Sequence, residues 1–377
     1  MDFRLPEPAL RARAAARAFT RAALQPVEPT LPHGAGALPA PVVQALQEQR
    51  RQAGWWGLTV PSAEGGRGLS WTEQAAVQEE WHRSPLGLFT LGLFVAGEPP
   101  EPLYACTPAQ RTRYLRPCLE GARASQVRLP PQRPGSGAGL RARRVPGGIR
   151  LDGLWPAAPA IAAEHLLVAI AATDEGEQAF LCEPGMPGME VRHRRPGMGA
   201  LELADLAWVD CFLPGTAIVP GIGAAARRWE ARQRTAVLAA GALGAAERCL
   251  GDALSHARAR QTFGRPLADR QGIQWMLADS ARELHAARLL VYRAASLADA
   301  GEDAAPWAAR AKAYTAAAAC RVVDRVIQIF GGYGYCADLP YERYWRELRA
   351  YRLLEGVDEE LLAAADGEDL AAERAVP

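Results

Sequence analysis

A chain of 377 residues is longer than a single hydrophobic core usually organises, so two or three domains are expected. Apolar residues make up 49% of it and charged residues 23%, which excludes a disordered or collagen-like chain. Lysine and arginine number 43 against 42 acids, and this balance excludes a long-range field that would recruit nucleic acid or an anionic membrane; partners must be recognised locally.

The chain begins MDFRLPEPALRARAAARAF, where arginine alternates with alanine and no apolar signal-peptide core appears, so an amphipathic surface helix is predicted. Further helical signals follow up to residue 122, in PAPVVQALQEQRRQAG and SWTEQAAVQEEWHRS. Turn-rich VPSAEGGRGLS and GEPPEPLYACTPAQ separate them. Ser70 and Glu73 have the S-x-x-E spacing that reciprocally satisfies free amides at a helix start. Residues 1–122 therefore read as a helical first domain.

Between 123 and 220 glycine and proline rise and the apolar runs shorten to strand length: GIRLDGLW, HLLVAIAAT, QAFLCEP, MEVRHRR and LADLAWVDCFL. This predicts a middle antiparallel β domain, a barrel or sandwich, in which Ala207, Val209, Cys211 and Leu213 share one face by the period of two. From 221 to 377 the helical period returns. Ile273, Met276, Leu277, Ala281, Leu284, Ala287 and Val291 form one stripe, and WAARAKAYTAAAACRVVDRVIQIF is a second long helix with small residues for close packing. A C-terminal four-helix bundle is predicted, giving an α+β multi-domain chain and not a doubly wound parallel sheet.

No run approaches the roughly 20 apolar residues needed to cross a bilayer. The seven cysteines are odd in number and form no CxxC pair, and the six histidines show no ligand spacing, so neither a disulfide framework nor a metal site is expected. A reducing cytoplasm fits this usage best.

Three stretches hold residue types suited to chemistry. QIFGGYGY (328–335) does not fit GxGxxG and follows a helix where a dinucleotide fingerprint follows a strand; its glycines end that helix and bare the backbone to a ligand. ARQTFGRPLADRQ (259–271) offers the guanidinium of Arg260 and the flat ring of Phe263 in a short break between helices, which also reads as an ordinary helix connection. RLLEGVDEELLAA (352–364) holds Glu355 beside Gly356; taken alone it is one acid among many.

In order and spacing, R-x-T-F-G, Q-I-x-G-G-x-G-Y and L-E-G resemble the acyl-CoA dehydrogenase family of flavoproteins. GLTVPSAEGGRGLS, TPAQRTRYLRPCLEG and PGMGALELADLAWVDCFLP extend the resemblance over essentially the whole chain. It implies FAD between the last two domains and an acyl-CoA thioester against the flavin. Glu355 would remove the α-proton while a β-hydride passes to the flavin, and an electron-transfer flavoprotein would take the electrons. Burial must raise such a carboxylate's pKa, and its own N–H would polarise the thioester carbonyl. Gly356 would leave room for the substrate, and Arg234 resembles the arginine facing CoA. Arg260, Phe263, Gln271, Gln328, Gly331, Gly332 and Ser136 would contact FAD, those of the bundle from the neighbouring subunit of a homodimer or homotetramer.

The chain departs from the family pattern at four places. RLPPQRPGSGAG keeps Gly135 and Ser136 but has Pro130 near the family's threonine and Gly137 for its aspartate; no hydroxyl residue follows Trp155, and Val357 replaces the threonine of E-G-T. These departures motivate an alternative, a non-catalytic or half-catalytic subunit that completes the FAD site of a related chain. A DNA-binding relative is disfavoured by the acidic tail VDEELLAAADGEDLAAERAVP.

Overall fold

In the computed structural model, residues 4–31, 38–88, 90, 98–128, 139–159, 165–221 and 223–365 are described. Their order is helices, then a sheet, then helices. In the first domain α1 (Glu7–Phe19) buries Ala9, Ala12, Ala16 and Phe19 along one face, and α2 (Ala40–Gln52) follows. In α3 (Trp71–Trp81) every residue except Glu73 is buried, because helices from both ends of the chain enclose it.

Two devices start α3. Ser70 Oγ accepts from the Glu73 N–H at 3.2 Å while Glu73 Oε2 accepts from the Ser70 N–H at 2.9 Å, the reciprocal cap that the spacing predicts. Asp299, far along the chain, accepts from the N–H groups of Trp71 and Thr72 at 2.7 and 3.0 Å. Its charge also suits the positive end of the helix dipole. From α1, Arg13 and Arg17 reach Glu79 and Glu80 on α3. The short α4 (Pro108–Gln110) and α5 (Arg116–Leu119) flank a wide π turn and lead into the sheet.

The sheet has strands β1 (Ser125–Arg128), β2 (Gly139–Val145), β3 (Gly148–Pro159), β4 (Leu166–Thr173), β5 (Gly176–Cys182), β6 (Met189–Pro196), β7 (Glu202–Pro214) and β8 (Ile218–Val219). Its order is β6-β7-β3-β2-β4-β5-β8, with β1 also paired to β4. Most pairings are antiparallel, as predicted, but β4 pairs in parallel with both β1 and β2, so the sheet is mixed. Leu140, Ile149, Leu151, Phe180, Trp208 and Leu213 fill one face. On the other, Leu166, Val168, Ile170 and Leu181 pack on Leu103, Tyr114 and Leu115 of the first domain. Burial on both faces explains why HLLVAIAAT reads as a continuous apolar run.

The predicted single face of Ala207, Val209, Cys211 and Leu213 is corrected. Leu206 and Trp208 face the core with Cys211 and Leu213, while Val209 is exposed. Between the pairings Leu151 to Cys211 and Gly153 to Trp208 the register shifts, and Asp210 sits at φ +45°. A bulge inserts one extra residue there and reverses the phase of the alternation.

The C-terminal part contains α6 (Gly223–Arg232), a π turn Gln233–Ala239, and α7 (Ala240–Ala259). A two-residue hairpin follows, β9 (Gln261–Thr262) with β10 (Arg265–Pro266), then α8 (Gln271–Asp299), α9 (Ala305–Phe330), the short α10 (Gly332–Tyr335) and α11 (Tyr341–Tyr351). Leu243, Cys249, Leu284, Val322, Val326, Tyr344 and Leu348 form the bundle core. The small residues of α7 bring α3 very close: a Cβ on Gly244 would lie 1.9 Å from Glu79 O. From α11, Glu347 accepts from the Ala200 N–H at 2.8 Å and Arg346 donates to Met198 O at 3.1 Å. These bonds hold the β6–β7 turn against the bundle.

Candidate active site

The stretch RLLEG forms the turn that follows α11. Glu355 is half-buried at φ +53°, a left-handed conformation rarely adopted by a residue with a Cβ, and Gly356 follows at φ +107°. Such backbone costs of order 1–3 kcal/mol and persists only where its surroundings over-determine it. Two cations do so here. Arg234 Nε donates to Glu355 O at 2.7 Å, and Lys312 Nζ donates to Gly356 O at 2.6 Å.

Both cations are buried and paired. Arg234 Nη2 meets Glu230 one turn earlier in α6, and Lys312 Nζ meets Asp358 Oδ1 at 2.9 Å. Asp358 in turn accepts from Arg352 Nε at 2.7 Å, and its N–H donates to Arg352 O at 3.2 Å, closing the turn on itself. Burial lowers the pKa of the Lys312 ammonium, an effect opposed by the Asp358 carboxylate. Arg234 therefore lies beneath the Glu355 turn, with Nε donating to Glu355 O and Nη2 to Glu230.

Another contact fixes the end of α11. Tyr351 OH lies 3.0 Å from His82 Nε2, and His82 Nδ1 lies 2.9 Å from Gln78 O. Burial pushes the imidazole down to about 4, so at neutral pH it is uncharged. A carbonyl can only accept; Nδ1 therefore bears the proton and Nε2 accepts from Tyr351. The buried helix α3 thus holds the turn that carries Glu355.

Elsewhere, at one end of the bundle, the remaining residues of interest point outward. Arg260 is exposed at the end of α7, and Phe263 at the hairpin tip is 98% exposed at φ +49° with the Arg270 guanidinium over its ring. Gln271 opens α8 and is exposed, as is Gln328 near the end of α9. Gly331, at φ +62°, ends α9; a Cβ on Gly331 or Gly332 would meet no atom within 4 Å. His256 stacks on Phe330 with ring centroids 4.2 Å apart and so joins the ends of α7 and α9. Ser136 lies outside the described residues. Among these, the structure brings Glu355, Gly356 and Arg234 together as one group.

Lys312 and Asp358 were missed in the sequence. The detectable signal was a lone lysine inside the small-residue stripe of α9, three or four positions from Ala308, Ala309, Thr315 and Ala316. A cation on an apolar helical face demands a buried partner. No sequence rule locates the partner 46 residues later.

The chain thus has three parts, a mixed sheet between two helical domains, with a glutamate turn held from the bundle. The family models for the N-terminal and C-terminal domains of acyl-CoA dehydrogenase match residues 7–122 and 223–365. The (R)-benzylsuccinyl-CoA dehydrogenase of Thauera aromatica is 30% identical over 95% of this chain and 94% of its own length. Butyryl-CoA dehydrogenase from Megasphaera elsdenii superposes with a TM-score of 0.81 at 27% identity, over 98% of this chain and all of its own. A chain from a structure of the electron-transferring flavoprotein of Acidaminococcus fermentans gives 0.81 at 29% identity, covering 98% and 99%. The chain belongs to the acyl-CoA dehydrogenase family, FAD-dependent oxidoreductases that act on CH–CH bonds.

The outward donors of the bundle end fit the phosphate side of such a cofactor. Arg260 offers a fork of N–H groups, Gln271 and Gln328 offer amides, and the glycine backbone is uncovered. The described end of β3 offers less: in Leu154–Pro159 only the Trp155 indole is a side-chain donor.

Proposed function

We propose that the chain oxidises an acyl-CoA thioester between Cα and Cβ to the trans-2-enoyl-CoA, with Glu355 as the base. The supporting observation is the Glu355 turn: a left-handed backbone held through two successive carbonyls by buried, paired cations. Such fixation suits a base that must meet one proton of a bound substrate. The thioester carbonyl would take the N–H of Glu355, which lowers the cost of enolate-like charge. Bound FAD would accept the hydride leaving Cβ, and an electron-transfer flavoprotein would carry the electrons away. Arg260, Phe263, Gln271, Gln328, Gly331 and Gly332 would hold the cofactor's phosphate and adenine end.

Chain geometry favours a homodimer, or a tetramer built from it. Lys312, at the Glu355 site, and Gln328 lie 16 residues apart on one continuous helix, about 24 Å at 1.5 Å per residue. The outward set is thus distant from its own Glu355 and available to a second copy. Phe263, Trp275, Tyr333 and Tyr335 are 62–98% exposed, an aromatic surface suited to that contact.

The deciding experiment is the visible spectrum of the purified protein. A flavin band that bleaches when acyl-CoA thioesters are added supports the proposal. A colourless protein that FAD does not reconstitute sinks it. The hydroxyl-poor end of β3 favours one second reading, a subunit that completes the site of a related chain. Turnover only after mixing with such a partner would select it, and full turnover of the isolated protein would remove it.

A further inference from the structure

We propose that Lys312 is a positioning residue whose buried ammonium, clamped by Asp358, holds the Gly356 carbonyl and thereby aims the Glu355 carboxylate at the substrate. The inference rests on the reading of Glu355 as the base.

Three observations carry it. Glu355 and Gly356 occupy consecutive positive-φ conformations, so the direction of the Glu355 side chain depends on the peptide planes that follow it. Each of those planes is held by one cation, Arg234 on Glu355 O and Lys312 on Gly356 O. The Lys312 side chain has no exposure, which leaves it unable to meet a ligand from solvent or an exposed partner.

The ion pair's placement explains why a lysine is used. Lys312 stands in a 26-residue helix while Asp358 is part of the turn itself, two residues beyond Gly356. Burying either charge alone would be costly, and the attraction between them ties the turn to the helix. Arg352 holds the second Asp358 oxygen, so the aspartate keeps a partner if the lysine is removed. Arg234 and Lys312 thus grip adjacent carbonyls from two different helical segments, α9 and the turn after α6.

Lys312→Met tests the idea, since it keeps the stem, removes the donor to Gly356 O, and leaves Asp358 bonded to Arg352. Expected are a kcat about 100-fold lower, as a misplacement near 1 Å would give, a KM within about threefold, and unchanged flavin content. Hydrogen exchange of the 354–358 amides in the full-length protein should be at least about tenfold faster, with α9 unaffected. Asp358→Asn should shift kcat and exchange in the same direction, and carries the test if Lys312→Met fails to fold. A folded Lys312→Met protein with kcat within twofold of wild type, or with unchanged exchange at 354–358, overturns the proposal. If the wild-type protein oxidises no acyl-CoA, the reading of Glu355 fails instead. The exchange measurement then decides alone: faster exchange keeps the clamp and unchanged exchange removes it.

Discussion

Gly241→Ala places a methyl group where His82 already stands. A Cβ there would lie 2.4 Å from Nε2 and 2.5 Å from Cδ2 of a buried ring pinned at both nitrogens. Two effects oppose. Alanine is better than glycine in a helix interior by about 1 kcal/mol. Overpacking costs about 1–3 kcal/mol, and a displaced ring loses its hydrogen bonds to the Tyr351 hydroxyl and to Gln78 O, together about 1–3 kcal/mol more. Space therefore outweighs propensity, with a net loss of about 3 kcal/mol. For a chain of this length the unfolding entropy is roughly 0.8 kcal/mol per K, which converts the loss to a fall in Tm of about 4 °C. Scanning calorimetry reads it directly. His82→Ala loses the same Tyr351 bond and vacates the space, so the double variant should cost at least about 1 kcal/mol less than the two single losses added. A Tm for Gly241→Ala at or above wild type, or a cycle additive within about 0.5 kcal/mol, refutes the reasoning.

Other outcomes are expected from the same structure. Glu355→Gln should bind acyl-CoA yet leave the flavin band unbleached, with turnover down by about 10²- to 10⁴-fold in a stopped-flow assay. Burial holds His82 and His165 at about 4, below the ordinary 6.5. The unfolded chain therefore takes up protons first as pH falls, and stability present above 6.5 is lost on the way down to 4. By pH 5 the loss is about 2 kcal/mol for each histidine, measurable by urea titration at pH 7.5 and 5, and His82→Gln should flatten the slope. Phe263→Asp alters a side chain that touches solvent within the protomer, so it should leave the protomer folded by circular dichroism. Sedimentation should then report single chains and the spectrum a loss of bound flavin.

Legibility followed the range of the interactions. The α3 cap was readable because Ser70 and Glu73 are three residues apart, and the change from helix to strand texture followed the two periodicities. The parallel pairings of β4 were not, since they join residues far apart in sequence, nor was the bulge at Asp210, which reverses a face through one residue's backbone. Glu355 stood out through the spacing of three stretches. The ion pair beneath it did not: Lys312 and Asp358 lie 46 residues apart and meet only when the bundle closes, and although Arg234 was legible, its bond to Glu355 O was not. The left-handed backbone of Glu355 and Phe263 was equally invisible, because neither residue type announces a positive φ.

The length of α9 has a genetic consequence. In the proposed dimer each copy of this helix serves its own glutamate at one end and its neighbour's cofactor at the other. A lesion at Glu355 and a lesion at Arg260 or Gln328 would then fall in different functional units of one assembly. Two inactive chains, each with one of these lesions, would form a mixed dimer in which one site unites both defects and the other is wholly intact. Each mixed dimer would keep one working site of two, although neither parent has any.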